Sequence, residues 1–367
     1  PVLQSIIGSG YSGGRNIAVG QLDADDLFGS SVALDGLRLA VGAIGDDGTA
    51  NSTGNAGAVY LFTFADASFS DGVLRRVLNF ESFTGGPING EGALFGNAVA
   101  LSGNILAVGA PGDNGFGASD IEAGAVHIFD LGDASFLATP QRLATLGKSY
   151  GSAGPNDISV LDLEAGDRFG TSLSLDGLRL AIGAPNDDGG GTPIFDSGAV
   201  YVYSFAAGDF SGGALEARLG TFYSGLNDFD INGAPGDFFG QSVALRGLQL
   251  VVGAVGNDGR NGTQNDAGAV YLFTASSGFT DINQAGIIGA DYLAAPRDFD
   301  LKLAKGEQFG AAVAFDGDRL VVGASNNAGR NNSAPGSGAA YLFTFADTGF
   351  GNIRLIDNLG AGYAGLS

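Results

Sequence analysis

The stretch FGSSVALDGLRLAVGA, Phe28 to Ala43, decides the fold because the chain writes it five times. The other copies are FGNAVALSGNILAVGA from Phe95, FGTSLSLDGLRLAIGA from Phe169, FGQSVALRGLQLVVGA from Phe239 and FGAAVAFDGDRLVVGA from Phe309. The Phe-Gly marks are spaced 67, 74, 70 and 70 residues apart. Fourteen residues after each Phe comes a Gly-Ala pair, at Gly42, Gly109, Gly183, Gly253 and Gly323. Fifteen further on comes a second, at Gly57, Gly124, Gly198, Gly268 and Gly338. The 29-residue span from Phe to second mark never changes length, and all variation lies outside it. A rigid module joined by tolerant connections has this signature.

Inside the module the period is two. Val32 and Leu34 alternate with Ala33, and after Asp35-Gly36 the residues Leu37, Leu39 and Val41 alternate again. This predicts strand, two-residue turn, strand, with Asp-Gly favouring a type I′ hairpin. GAVYLF and its copies after the second mark form a third strand of β-branched and aromatic residues. A fourth, weaker strand ends in an aromatic that occurs six times: Tyr11, Phe83, Tyr150, Tyr223, Tyr292 and Tyr363. No stretch reads as a helix. Four antiparallel strands in each ~70-residue repeat predict an all-β chain built as a β-propeller of four-stranded blades, five of them visible. An open β-solenoid is the alternative. The expected organisation is residues 1–27 as an N-terminal strand and linker completing a blade, 28–351 as five blades starting near 28, 95, 169, 239 and 309, and 352–367 as an extra fourth strand.

Phe-Gly, an apolar hairpin, Gly-Ala-Pro and then Gly-Ala-Val-Tyr resemble the FG-GAP repeat of the integrin α-subunit propeller and its bacterial relatives. Gly-Ala-Pro is literal at Gly109-Ala110-Pro111 and Gly183-Ala184-Pro185, while Ile44, Val255 or Ser325 follows Gly-Ala elsewhere. The stretch AGDRFG, Ala165 to Gly170, adds to the match. The resemblance covers almost the whole chain. It implies an extracellular or cell-surface propeller used for adhesion or ligand binding, often with Ca²⁺. The chain departs from that family in two respects. The family's Asp-rich calcium loop lies between the first two strands, where this chain has only a two-residue turn, too short to offer several oxygens. Five marks are visible, against seven blades in integrins.

Composition narrows the partners. Asp+Glu total 39 against 17 Lys+Arg, a net charge of −22. An acidic surface repels nucleic acid and anionic membranes. There are 65 glycines without a Gly-X-Y period, so the glycines serve turns rather than collagen. Cys, Met and Trp are absent, which excludes disulfides and thiolate metal sites. A chain opening on Pro1 with no Met is expected to be a processed product or part of a longer chain. No apolar run is long enough to span a bilayer.

The candidate cation loops lie between the two Gly-Ala marks. Four residues after the first Gly stand Asp46, Asp113, Asp187, Asn257 and Asn327, followed by Asp47, Asn114, Asp188, Asp258 and Ala328. Oxygen-rich side chains beside glycine suit a hard cation such as Ca²⁺. Asp and Asn also recur wherever Asx turns are needed. An acidic residue precedes the Phe at Asp26, Asp167, Asp237 and Glu307, with Ala93 the exception, and its expected role is to cap a turn. His127, the single histidine, stands in the column of Tyr60, Tyr201, Tyr271 and Tyr341, where a packed aromatic is expected. One His and no Cys give a catalytic triad no support, and a carboxylate dyad would break the repeat's symmetry rather than recur. Asn51, Asn261 and Asn331 open Asn-x-Ser/Thr sequons, all in the same loop.

The sequence therefore points to a non-enzymatic extracellular propeller with a structural role in a surface layer or fibre. The alternative is an adhesion module that binds a protein or glycan through its loops. A polysaccharide-active enzyme is the weaker third reading. Because the fourth-strand aromatic occurs six times for five marks, a terminal segment, 1–27 or 352–367, is expected to pack against a neighbouring molecule or a further domain.

Overall fold

A computed structural model of the chain describes residues 3–48, 51–79, 90–117, 119–191, 193–293 and 297–363. Two short strands, β1 (Ile7–Gly8) and β2 (Ile17–Ala18), pair in parallel ahead of the first repeat. The first repeat then forms β3 (Phe28–Asp35), β4 (Arg38–Ala43), β5 (Ala58–Thr63) and β6 (Val73–Asn79), an antiparallel meander in chain order. The second holds β7 (Ala98–Ser102), β8 (Ile105–Ala110), β9 (Ala125–Asp130), β10 (Gln141–Gly147) and the short β11 (Ile158–Ser159). The third holds β12 (Ser172–Asp176), β13 (Arg179–Ala184), β14 (Ala199–Ser204), β15 (Ala214–Gly220) and β16 (Asp228–Asp230). The fourth holds β17 (Phe239–Arg246), β18 (Gln249–Ala254), β19 (Ala269–Thr274), β20 (Asn283–Gly289) and β21 (Phe299–Asp300). The fifth holds β22 (Phe309–Phe315), β23 (Arg319–Ala324), β24 (Ala339–Thr344) and β25 (Arg354–Gly360). The expected class is thus observed: all-β, in five propeller blades of four main strands. β25 is the fourth strand of the fifth blade, paired with β24, while β1 pairs with β2. The aromatic expected at Phe83 lies outside the described residues.

The chain divides into two compact units, Pro1–Leu178 with Phe205–Gly213, and Arg179–Ser204 with Ala214–Ser367. In the first unit, Val59, Leu61 and Leu78 of the first blade close over Phe95, Val108 and Phe129 of the second. In the second unit, Val270, Leu272 and Ile288 of the fourth blade close over Phe309, Val322 and Phe343 of the fifth. Each such side chain, fully buried, contributes about 1.5–3 kcal/mol.

The mark residues make these joints. Phe95, Phe169, Phe239 and Phe309 are buried. Each donates its amide hydrogen to the preceding repeat, to Ala56, Ala123, Ser197 and Ala267 carbonyls at 2.9–3.1 Å. Phe239 also meets Tyr271 of its own blade edge-on, ring centroids 5.2 Å apart. The Gly of the first Gly-Ala pair lets backbones touch. A methyl built on Gly42 would lie 2.0 Å from the Gly96 carbonyl oxygen, one on Gly109 2.0 Å from that of Gly170, and one on Gly253 2.1 Å from that of Gly310. No side chain fits there.

Two features differ from the sequence reading. The hairpin pairs Asp35 with Arg38, so its central residues are Gly36 and Leu37 rather than Asp35 and Gly36. Gly36 has φ 61° while Leu37 stays negative. One positive φ at the first central position is the type II′ pattern, not I′. Second, three blades carry a fifth strand parallel to the fourth: β11 beside β10, β16 beside β15, β21 beside β20. These strands have two or three residues and no periodicity. A repeated side-chain contact pins β11, β21 and the N-terminal β2: Asp157 accepts the Thr145 amide, Asp298 that of Ile287, and Asn16 that of Ile6.

Candidate functional site

The residues singled out between the two Gly-Ala marks fold into one repeated node. The strand before the loop ends at Ala43, Ala110, Ala184, Ala254 or Ala324, and the chain then turns back on itself. The side chain four after the mark accepts the amide two residues on: Gly48 to Asp46, Gly115 to Asp113, Gly189 to Asp187, Gly259 to Asn257 and Gly329 to Asn327, all at 2.8–3.0 Å. That is an Asx turn. The next side chain closes the loop. Asp47 accepts the Asn55 amide, Asn114 that of Glu122, Asp188 that of Asp196 and Asp258 that of Asp266, at 2.7–2.9 Å. Ala328 stands at that position in the fifth blade and carries no oxygen.

Two tyrosines complete the node. The first comes from the third strand: Tyr60 donates to Asp46 at 2.7 Å and Tyr201 to Asp187 at 2.9 Å. The second comes from the turn after the fourth strand: Tyr150 donates to Asp113 at 3.0 Å, Tyr223 to Asp187 at 2.7 Å and Tyr292 to Asn257 at 3.1 Å. Where Asn replaces Asp the polarity reverses on one side: Asn257 donates to Tyr271 at 3.3 Å and Asn327 to Tyr341 at 3.0 Å. Asp113, Asp187 and Asn327 are almost wholly buried. Burial raises the Asp187 carboxyl above its usual range, against its hydrogen bonds from Tyr223 and Gly189. Burial also pushes the Tyr60, Tyr201 and Tyr223 phenols far up, the neighbouring carboxylates adding to it. These phenols stay protonated and donate to the carboxylates of the node.

The acidic residues ahead of the Phe cap turns, as expected. Asp26 accepts the Asp23 amide, Asp167 that of Glu164 and Asp237 that of Ala234. Asp237 also faces the Asn257 amide at 3.4 Å, and burial raises its carboxyl to about 6. Glu307 is raised by burial as well.

Chemically the node is a brace. Its oxygens face N–H and O–H hydrogens, which is the arrangement of a satisfied buried carboxylate. A cation would need those lone pairs cleared. Among the described residues, no three His, Asp or Glu side chains group as a metal site. The sequence predicted the Asp/Asn column and both aromatic columns separately. It missed that they meet, although a constant spacing of 14 from Asp46 to Tyr60 and from Asp187 to Tyr201 was the available signal.

His127 occupies the tyrosine position of the second blade, opposite Val108 as Tyr60 is opposite Val41. It is buried, with Nδ1 3.1 Å from the Thr145 hydroxyl, and Arg142 bridges Thr145 and Asp157. Burial and then the Arg142 charge depress the imidazole to about 3, so it is neutral. Asn51, Asn261 and Asn331 are all exposed.

A family model described as FG-GAP repeat matches residues 20–62, 90–129, 158–203, 230–273 and 303–343, together more than half of the chain. The chain belongs to the FG-GAP repeat family. The five matches coincide with the five blades, each reaching from ahead of the Phe-Gly mark into the third strand. No curated protein matches. Among solved structures, a putative 6-phosphogluconolactonase from Bacteroides fragilis is similar over 92% of this chain and 72% of its own, with 13% identity and a TM-score of 0.49. That likeness carries no inference about what this FG-GAP chain binds or does. No helix among the described residues is long and apolar enough to cross a membrane.

Proposed function

We propose that this FG-GAP chain is a non-enzymatic structural module of an extracellular or cell-surface assembly, a layer or a fibre. The observation that carries the reading is the node. Each residue type that recurs with blade periodicity braces a loop or joins two blades, so the repeated chemistry serves the scaffold. The extracellular placement rests on the family, whose repeats are typical of such proteins. The inter-mark loops, whose composition suits Ca²⁺, are taken in this reading as braces that hold without the ion, because their carboxylates already accept N–H and O–H hydrogens. Electron microscopy of the purified chain is the test: ordered strings or sheets support the reading, and isolated particles at every concentration refute it.

A second reading, recognition of a protein or glycan, is favoured by apolar side chains exposed in particular loops. In the first unit Ile121 and Leu161 are exposed, and in the second Phe195, Phe222 and Leu226. The counterparts of Ile121 and Phe195, counted back from the second mark, are Gly54, Asn265 and Pro335. A blade-specific apolar patch suits a ligand better than a repeating lattice. Binding that is lost on Ile121→Ser or Phe195→Ser, with assembly unchanged, would favour this reading.

A further inference from the structure

We propose that the second blade binds one buried water molecule between the His127 imidazole and the Asp113 carboxylate, at the place that a third-strand tyrosine oxygen takes in the other blades. The water accepts the imidazole N–H and donates to the carboxylate, so that His127 does through water what Tyr60 does directly for Asp46.

The hydrogens around the ring assign its state. Thr145 stands opposite His127 across β9 and β10, with its hydroxyl oxygen 3.1 Å from Nδ1. Arg142 donates to that same oxygen at 2.6 Å and to Asp157 at 2.7 Å. A guanidinium only donates, so the hydroxyl still has its own hydrogen to give. Among the described residues, Nδ1 is the one acceptor within its reach. The neutral imidazole therefore accepts at Nδ1 and carries its proton on Nε2. That nitrogen is buried and has no hydrogen-bond partner among the described residues. Buried donors are normally satisfied, by protein or by ordered water.

Register sets where the ring points. His127 lies opposite Val108 as Tyr60 lies opposite Val41, so the imidazole occupies the phenol's column and runs towards the node. It meets the Tyr150 ring edge-on, centroids 6.2 Å apart, and Tyr150 donates to both oxygens of Asp113 at 3.0 Å. The imidazole is the shorter ring, so Nε2 stops short of the place where a phenol oxygen meets the carboxylate. The second blade is also the one with Ala93 where the others carry Asp26, Asp167, Asp237 and Glu307. In the fourth blade that carboxylate reaches the node, Asp237 lying 3.4 Å from the Asn257 amide nitrogen. Two shortened side chains thus border Asp113 in a single blade. Asp113 and Ala93 are wholly buried and His127 is 1% exposed, which closes the place to bulk solvent. An internal water needs about two to four polar partners. The Nε2 hydrogen and Asp113 supply a donor and an acceptor, and carboxylate oxygens have lone pairs for more than one hydrogen.

His127 is the single histidine, so nitrogen NMR of the whole chain labelled at histidine reads this ring alone. At neutral pH the expected spectrum has the proton on Nε2 and a cross-relaxation peak from that proton to water. A proton on Nδ1 overturns the site, and so does an Nε2 proton without contact to water. The variants His127→Tyr and His127→Phe separate a hydrated node from a dry one. The phenol oxygen takes the water's place on Asp113, while the phenyl ring fills the same space and brings no donor. His127→Tyr should melt at least about 2 °C above His127→Phe. Melting of His127→Phe at or above His127→Tyr would show that no polar site faces Asp113 and overturns the proposal.

Discussion

Tyr223 and Asp187 stand 36 positions apart and are joined by a 2.7 Å hydrogen bond from the phenol to Oδ1. The same carboxylate takes the Tyr201 phenol on Oδ2 and the Gly189 amide on Oδ1. One buried side chain thus ties the loop after β13 to β14 and to the turn after β15. Arg218 lies 3.8 Å over the Tyr223 ring and pairs with Asp228, which fixes the second tyrosine in place.

Truncating this node removes the acceptor shared by two buried phenols and the part-buried Gly189 amide. Asp187→Ala is expected to cost about 2–4 kcal/mol, since each unsatisfied buried group costs roughly 1–3. Asp187→Asn is expected to cost less than about 1 kcal/mol, because Asn257 and Asn327 hold the same node in the fourth and fifth blades. Denaturant unfolding of the two variants checks the difference. Equal losses would show that the charge, rather than the hydrogen-bond geometry, is what matters.

Asp237 makes stability depend on pH. Its folded pKa, about 6, lies above the unfolded value of 3.8 because burial disfavours the anion. The folded chain therefore holds that proton more tightly. The contribution is most favourable below pH 3.8, declines as pH rises towards 6, and stays at its low level above. Asp237→Asn keeps an acceptor for the Ala234 amide and removes the penalty. The variant is expected to gain ~1–3 kcal/mol at pH 8, with the gain growing between pH 4 and 6.5. A gain independent of pH would contradict this.

The Phe of the marks should divide by position. Phe169→Ala is expected to cost about 3–5 kcal/mol, as for a buried aromatic. Phe28, half-buried on the first blade, is expected to cost less than half of that. A loss below about 1 kcal/mol at Phe169 would mean the ring does not seal a joint.

Calcium is tested on the loops themselves. With the oxygens of Asp46, Asp47, Asp187 and Asp188 already accepting N–H and O–H hydrogens, chelator should leave the melting temperature unchanged. Asp187→Ala with Asp188→Ala should destabilise to the same extent with and without Ca²⁺. A saturable rise on adding Ca²⁺, lost in that double variant, would establish the cation in these loops.

The blades were readable because alternation has a fixed period and the marks have fixed spacing. What could not be read has a common cause, contact across variable lengths. The fifth strands lie 10 to 12 residues past the residues they pin, as Asn16 does for Ile6 and Asp157 for Thr145, and no periodicity survives in two residues. Tyr223 reaches Asp187 across a strand and two loops, so each column was visible while their meeting was not. The turn type was misplaced because Asp-Gly is read from composition, whereas the register Asp35 to Arg38 is set by the flanking strands.

The account stands on the claim that the repeated Gly-Ala mark exists to join blades. Melting of Gly109→Ala beside Gly323→Ala tests it most directly, because the two glycines hold equivalent places and differ only in what faces them. At Gly109 the added methyl would lie 2.0 Å from the Gly170 carbonyl oxygen, and at Gly323 3.6 Å from its nearest neighbour. Gly109→Ala is expected to lose more than about 3 kcal/mol or to fail to fold, since overpacking against backbone cannot relax cheaply, while Gly323→Ala melts like the parent chain. Equal effects at the two positions would contradict the account.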